Sequence, residues 1–126
     1  MFRTLMRAKV HGATLTGVNL NYVGSLTLDA ALMGRLDILP NEQVQVLNLN
    51  NGARLITYVI AAEEGSGTVA LNGAAARRGQ PGDKILIVTY ATMSEEEARR
   101  FRPKVAIVDE RNRIVEVLED TAVYPG

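Results

Sequence analysis

Residues 43–61 read QVQVLNLNNGARLITYVIA, two runs of alternating apolar and polar residues on either side of Asn51-Gly52. Alternation at period two is the mark of a half-buried strand, because successive side chains point to opposite faces. Asn and Gly both tolerate positive φ, so the dipeptide predicts a type I′ turn joining Gln43 to Asn50 and Arg54 to Ala61 in a β-hairpin. In the second run Arg54, Ile56, Tyr58 and Ile60 fall on one face, and Leu55, Thr57 and Val59 on the other.

The same pattern continues outward. Phe2 to His11 reads as a strand, His11-Gly12 as a break, and Thr14 to Val23 and Ser25 to Leu28 as two further strands. Thr68 to Leu71, Lys84 to Tyr90, Lys104 to Asp109 and Ile114 to Leu118 follow, separated by Gly65-Ser66-Gly67, Gln80-Pro81-Gly82-Asp83 and Glu110 to Arg113. Two short helices interrupt them. Asp29 is placed to cap Ala30 to Leu36, and Ser94 with Glu97 forms a capping box for Glu95 to Phe101. Asn72-Gly73-Ala74-Ala75-Ala76 reads as a strand-to-turn transition with a short helical start, and the last residues as an edge segment or tail. With 126 residues and no linker or repeat, the expectation is one mainly β domain, residues 1–126, with short helices and closed as a barrel.

Composition narrows the function classes. Lys+Arg and Asp+Glu both total 14, so no global field favours nucleic acid or an anionic membrane. There is no cysteine and a single histidine, His11, which removes disulfides and zinc sites built from clustered Cys and His. Absence of cysteine fits a reducing compartment; Arg3, Arg7 and Lys9 interrupt the N-terminal run, and no apolar stretch reaches membrane-spanning length. The expected location is the cytoplasm. Neither a dinucleotide fingerprint nor a P-loop is present, and Val23-Gly24-Ser25-Leu26-Thr27 lacks the second glycine of a nucleophile elbow.

Several residues have chemistry to offer. A serine that follows glycine on a bend, as in Gly24-Ser25, can attack its own preceding carbonyl, although a plain turn has the same composition. Lys9 and His11, two apart on a strand, share a face. Arg54 carries a planar fork that matches a carboxylate, and Tyr58 carries a phenol hydroxyl that can donate a proton. The small side chains of Asn72 to Ala76 let backbone amides approach an anion or a carbonyl oxygen. Each also has a structural reading: a solvated face, a cross-strand ion pair, or the start of a helix.

Taken together, Lys9-Val10-His11, Tyr22-Val23-Gly24-Ser25, Asn51-Gly52-Ala53-Arg54, Thr57-Tyr58 and Asn72-Gly73-Ala74-Ala75-Ala76 resemble the bacterial aspartate 1-decarboxylase family, and Tyr90-Ala91-Thr92-Met93 extends the match. The resemblance implies a double-psi β-barrel, a homotetramer with active sites between subunits, and self-cleavage between Gly24 and Ser25. In that cleavage the Ser25 hydroxyl attacks the Gly24 carbonyl to give an ester. Elimination and hydrolysis then leave a covalent pyruvoyl group at position 25 and split the chain into residues 1–24 and 25–126.

The implied reaction is decarboxylation of L-aspartate to β-alanine for pantothenate synthesis, without pyridoxal phosphate. By the same resemblance Lys9, His11 and Arg54 bind the acidic substrate and Tyr58 returns the proton. Thr57 serves both cleavage and substrate contact, Gly73, Ala74 and Ala75 bind through backbone amides, Asn72 orients the substrate, and Tyr22 lies beside the pyruvoyl group. Alternation sets Thr57 on the face opposite Arg54 and Tyr58; strand twist, a bulge or a site shared between subunits would reconcile them.

The chain departs from the family pattern at Gly12, Asn21 and Arg77. Some relatives mature with a partner protein, and nothing in the sequence indicates one here. The rival readings are the same chemistry on another acidic amino acid and a non-catalytic small β-barrel that binds a partner or DNA, the latter disfavoured by the balanced charge.

Overall fold

The structure, a computed structural model, describes residues 1–22 and 25–119. Gly24, one half of the expected cleavage pair, and the C-terminal tail lie outside the described residues. In chain order the elements are β1 (Phe2–Thr14), β2 (Gly17–Asn19), β3 (Ser25–Asp29), α1 (Ala30–Leu36), β4 (Gln43–Asn48), β5 (Arg54–Ala62) and β6 (Val69–Asn72). A 3₁₀ segment (Gly73–Arg78), β7 (Lys84–Ser94), α2 (Glu95–Arg100), β8 (Lys104–Val108) and β9 (Ile114–Glu119) follow within the described residues.

β4 and β5 form the expected hairpin, with Gln43 opposite Tyr58 and Leu47 opposite Arg54. Val44 and Val46 are buried while Gln43 is exposed, as alternation requires. The turn differs from the type I′ expectation. Among its residues only Gly52 takes a positive φ, and the connection is five residues long, 49–53. The buried Asn48 explains this: its Oδ1 accepts the backbone N–H groups of Asn50 and Asn51, and its carbonyl accepts that of Gly52. A side chain that supplies acceptors locally competes with the tight turn.

The strand order is β2-β6-β3-β5-β4-β7-β1-β8-β9. Residues 15 and 16 alone separate β1 from β2, yet the two stand six places apart in that order. One continuous run of chain therefore pairs near both ends of the sheet, and the sheet must curl on itself. Parallel pairs (β1 with β8, β2 with β6, β3 with β5) mix with antiparallel ones. The result is mainly β, with nine strands and few short helices among the described residues, in agreement with the expected double-psi β-barrel.

The break expected at His11-Gly12 is instead a register shift inside β1, between Val10 and Ala13. Gly12 takes φ 78°, a conformation that an L side chain resists, so the strand bulges and resumes pairing with β7. β7 runs longer than expected because β1 keeps pairing with it back to Phe2 and Ser94. Inside the curl, Val10, Leu15, Leu26, Leu28, Val44, Val46, Val59, Leu71, Ile85 and Ile87 are all buried.

Both helix N-caps form, with Asp29 Oδ1 accepting from Ala31 N at 2.8 Å and Ser94 Oγ from Glu97 N at 3.1 Å. Among the described residues, however, the Glu97 carboxylate does not return the second bond of the expected capping box, and α2 ends at Arg100 rather than Phe101. Asp29 also accepts the N–H groups of Gly65 and Gly67, tying the loop before β6 to the start of α1. Burial alone would raise its carboxyl; these three backbone donors, with the Arg113 charge, outweigh that and hold it below the ordinary carboxylate range. Among the described residues no helix is long and apolar enough to cross a membrane, and no cluster of His, Cys, Asp and Glu is arranged to hold a metal ion.

Candidate active site

Ser25 opens β3 and is wholly buried, at 0% exposure. It pairs with Asn72, the last residue of β6, in an antiparallel ladder that continues Leu26–Leu71 and Thr27–Ala70. Leu26 and Leu28 point into the core, so Ser25, Thr27 and Asp29 share the other face. On that face the Asn72 Nδ2 donates to Ser25 Oγ at 3.0 Å and to Thr27 Oγ1 at 2.7 Å. One amide therefore joins the two hydroxyls of β3. Sequence reasoning singled out Ser25 and Asn72 but missed Thr27, whose only signal was its place two residues after Ser25 on the same strand.

β5 lies parallel to β3 on the other side, with Leu26 beside Val59. Both are buried, so the residues one step back, Ser25 and Tyr58, turn together to the opposite face. Arg54 and Ile56 follow on the Tyr58 side and are exposed. Thr57 points the other way, paired across from buried Val44. β5 keeps an unbroken register with β4 from Arg54 to Tyr58, which rules out a bulge as the means of bringing Thr57 to the Arg54 face.

Thr57 instead lines a groove with Leu55, Ile56, Ala74, Ala75 and Arg78. The 3₁₀ segment reaches this groove because Gly73 takes φ 61° directly after the extended Asn72, turning the chain where a side chain would be strained. Gly73 and Ala75 are buried and Ala74 is exposed. At the far end of the segment the carbonyl of Arg78 accepts from the side-chain amides of Asn48 and Asn51. Among the described residues Arg78 is the one charged side chain lining the groove, and sequence reasoning did not single it out.

Lys9 and His11 stand elsewhere. They lie on β1 between β7 and β8, with Lys9 beside Val88 and Val105, and His11 beside Ile107. Ala8 and Val10 are buried, so Lys9 and His11 share the opposite face as expected, Lys9 half-buried and His11 exposed. Partial burial, and then the Lys9 charge, lower the His11 pKa from its ordinary value. Tyr22 is half exposed, on the bend after β2. Among the described residues the side chains of Lys9, His11 and Arg54 and the Tyr58 hydroxyl have no hydrogen-bond or ion-pair partner. Two clusters thus form within one chain, Ser25–Thr27–Asn72 and Thr57–Ala74–Ala75, while the cations Lys9 and Arg54 join neither.

The aspartate decarboxylase family profile matches residues 1–115. Proteins named aspartate 1-decarboxylase from Bacillus cereus, Bacillus cytotoxicus and Bacillus thuringiensis are each 58% identical over 118 residues, covering 94% of this chain and 93% of the relative. With a family match over nearly its full length and relatives of this similarity, the chain belongs to the aspartate decarboxylase family.

Proposed function

We propose that this chain cleaves itself between Gly24 and Ser25 and, with the pyruvoyl group so formed, decarboxylates L-aspartate to β-alanine and carbon dioxide for pantothenate synthesis. The observation that carries the proposal is Ser25 itself: a hydroxyl at 0% exposure, touched on its oxygen by an amide N–H. In the cleavage Ser25 Oγ attacks the Gly24 carbonyl carbon and the peptide nitrogen leaves it, giving an ester and a free amine. Loss of the Ser25 Cα proton then breaks the Cβ–Oγ bond, and its electron pair stays on Oγ as the carboxylate of residue 24. Hydrolysis releases the Ser25 nitrogen as ammonia and leaves the ketone.

The residues around position 25 fit such a group. Asn72 offers an N–H that serves a carbonyl oxygen as well as a hydroxyl, and the small residues Gly73 and Ala74 follow it without side-chain bulk. When present, the pyruvoyl group supplies an electron-accepting carbonyl for the pair released with carbon dioxide. Arg54 binds a substrate carboxylate through its fork and Lys9 adds positive charge, with His11 as a further donor. Tyr58, on the Ser25 face, donates the proton that replaces carbon dioxide. Thr57 and the backbone amides of Gly73, Ala74 and Ala75 hold the substrate in the groove, and Tyr22 flanks position 25.

Neither Arg54 nor Lys9 lines the groove within one chain, which supports a homotetramer whose sites are completed between copies. The working protein is then one folded domain per copy, made of residues 1–24 and 25–126, in the cytoplasm. Its partner is a small acidic substrate; the balanced charge supports neither nucleic acid nor a membrane surface. The reading is tested by assaying β-alanine and carbon dioxide from purified, processed protein against aspartate, glutamate and neutral amino acids. Turnover of aspartate above the rest is expected. Aspartate left inert while another amino acid is consumed would overturn the substrate assignment.

A further inference from the structure

We infer that Thr27 is a positioning residue for self-cleavage: its hydroxyl pins the Asn72 amide so that one N–H stays on Ser25 Oγ. The inference rests on the self-cleavage reading above and extends it to a residue outside the matched motifs. The backbone at this corner is already fixed, because Ser25 opposes Asn72 and Thr27 opposes Ala70 in the β3–β6 ladder. What remains soft is the torsion of the Asn72 side chain, a broad and weakly restrained rotation about an sp² group. An amide NH₂ has two hydrogens, and here each has its own acceptor: Ser25 Oγ at 3.0 Å and Thr27 Oγ1 at 2.7 Å. Two anchors fix the amide plane where one would leave it free to turn.

The shorter of the two contacts is the one to Thr27, so the orienting contact is not the reacting one. Thr27 is half-buried beside buried Ser25 and Asn72, where a rotated amide finds little water to replace a lost acceptor. The orientation matters because Oγ changes character during cleavage. It must shed its proton to attack, and it later carries the electron pair when the Cβ–Oγ bond breaks. A donor held on that oxygen stabilises negative charge in both steps. Thr27 touches neither the bond that forms nor the bond that breaks; it acts through Asn72.

The experiment follows self-cleavage of freshly isolated precursor by intact mass, in the unchanged chain and in Thr27→Val, Thr27→Ala and Thr27→Ser. The same changes are repeated in an Asn72→Ala background. Thermal midpoints are read in Ser25→Ala versions, which cannot cleave, so that loss of fold is separated from loss of rate. Thr27→Val and Thr27→Ala are expected to slow cleavage about tenfold, the loss of one hydrogen bond's worth of orientation, with Thr27→Ser restoring it to within about threefold. In the Asn72→Ala background the Thr27 changes should have no further effect on rate. Cleavage by folded Thr27→Val and Thr27→Ala at the unchanged rate overturns the inference. So does a slowing that persists in the Asn72→Ala background, or one that Thr27→Ser does not relieve. An unchanged chain that never cleaves overturns the self-cleavage reading itself, an outcome distinct from all of these.

Discussion

The corner where β3 meets β6 and the outward faces of β1 and β5 use polar residues in opposite ways. At the corner, Ser25, Thr27 and Asn72 are buried or half-buried and joined by hydrogen bonds. On the outward faces, the side chains of Lys9, His11 and Arg54 have no such partner among the described residues. The difference follows from what each must act upon. Chemistry on the chain's own backbone needs groups the chain can hold in place, and a closed hydrogen-bonded corner does this without uncompensated charge. Recognition of an acidic substrate needs a cation whose partner has yet to arrive, because a pre-paired arginine would have to break one ion pair to form another.

The largest expected effect separates the two regions outright. Arg54→Gln should lower kcat/KM for aspartate by about a hundredfold or more, the loss of a charged bidentate contact, and leave the rate of self-cleavage within about twofold. Parallel cleavage and turnover assays on one preparation check it. Equal losses in both would erase the distinction between corner and outward face.

Next comes the polar hub that ties α1 to the loop before β6. Asp29→Asn replaces one carboxylate oxygen with an NH₂ group, so one of the donors from Ala31, Gly65 and Gly67 faces another donor. A stability loss of about 2 kcal/mol is expected, read from denaturant unfolding in a Ser25→Ala background. A neutral result would mean that this corner of the fold relaxes more easily than its hydrogen bonds suggest.

A third effect concerns acid. Burial tends to raise the Glu42 carboxyl, but the Thr89 hydroxyl, the Leu39 N–H and the Arg7 guanidinium overcome this and hold it below the ordinary range. Asp29 is held low by its three N–H donors. For a carboxyl whose folded value is depressed, the stabilisation is complete above the unfolded value and is lost as pH falls through the folded one. The thermal midpoint should therefore be flat with respect to these groups down to about pH 5 and fall below about pH 4. Combining Asp29→Asn with Glu42→Gln should flatten that decline. An undiminished slope would assign the acid sensitivity to other groups.

The smallest effect sharpens the comparison from within the groove. Arg78 is the cation beside Thr57, Ala74 and Ala75, and Arg78→Gln should raise KM for aspartate about threefold with kcat unchanged, the signature of an exposed charge that adds attraction without entering the reaction. A fall in kcat with KM unchanged would give Arg78 a different part.

Much of this was legible in local sequence. The β4–β5 hairpin, the Asp29 and Ser94 caps and the shared face of Lys9 and His11 depend on periodicity and on contacts a few residues apart. What sequence left out depends on distant pairing. Gly12 reads as a break, yet continued pairing with β7 turns it into a bulge; Asn51-Gly52 reads as a type I′ turn until the Asn48 side chain takes up the loop's N–H groups. Thr27 gains its place from an asparagine 45 residues away, and Arg78 from packing of the 3₁₀ segment against β5. The family motifs located Ser25 and Asn72 but carried no sign of the residue that orients the amide between them.

Self-cleavage is read from the intact mass of the purified chain after prolonged warm incubation, beside Ser25→Ala treated alike. Two fragments are expected from the unchanged chain, residues 1–24 and a long fragment whose first residue is a pyruvoyl group without a free amine, with Ser25→Ala remaining one uncut chain. A single uncut species from the folded, unchanged chain, or cleavage that persists in Ser25→Ala, would overturn the assignment of Ser25 as the cleaving residue.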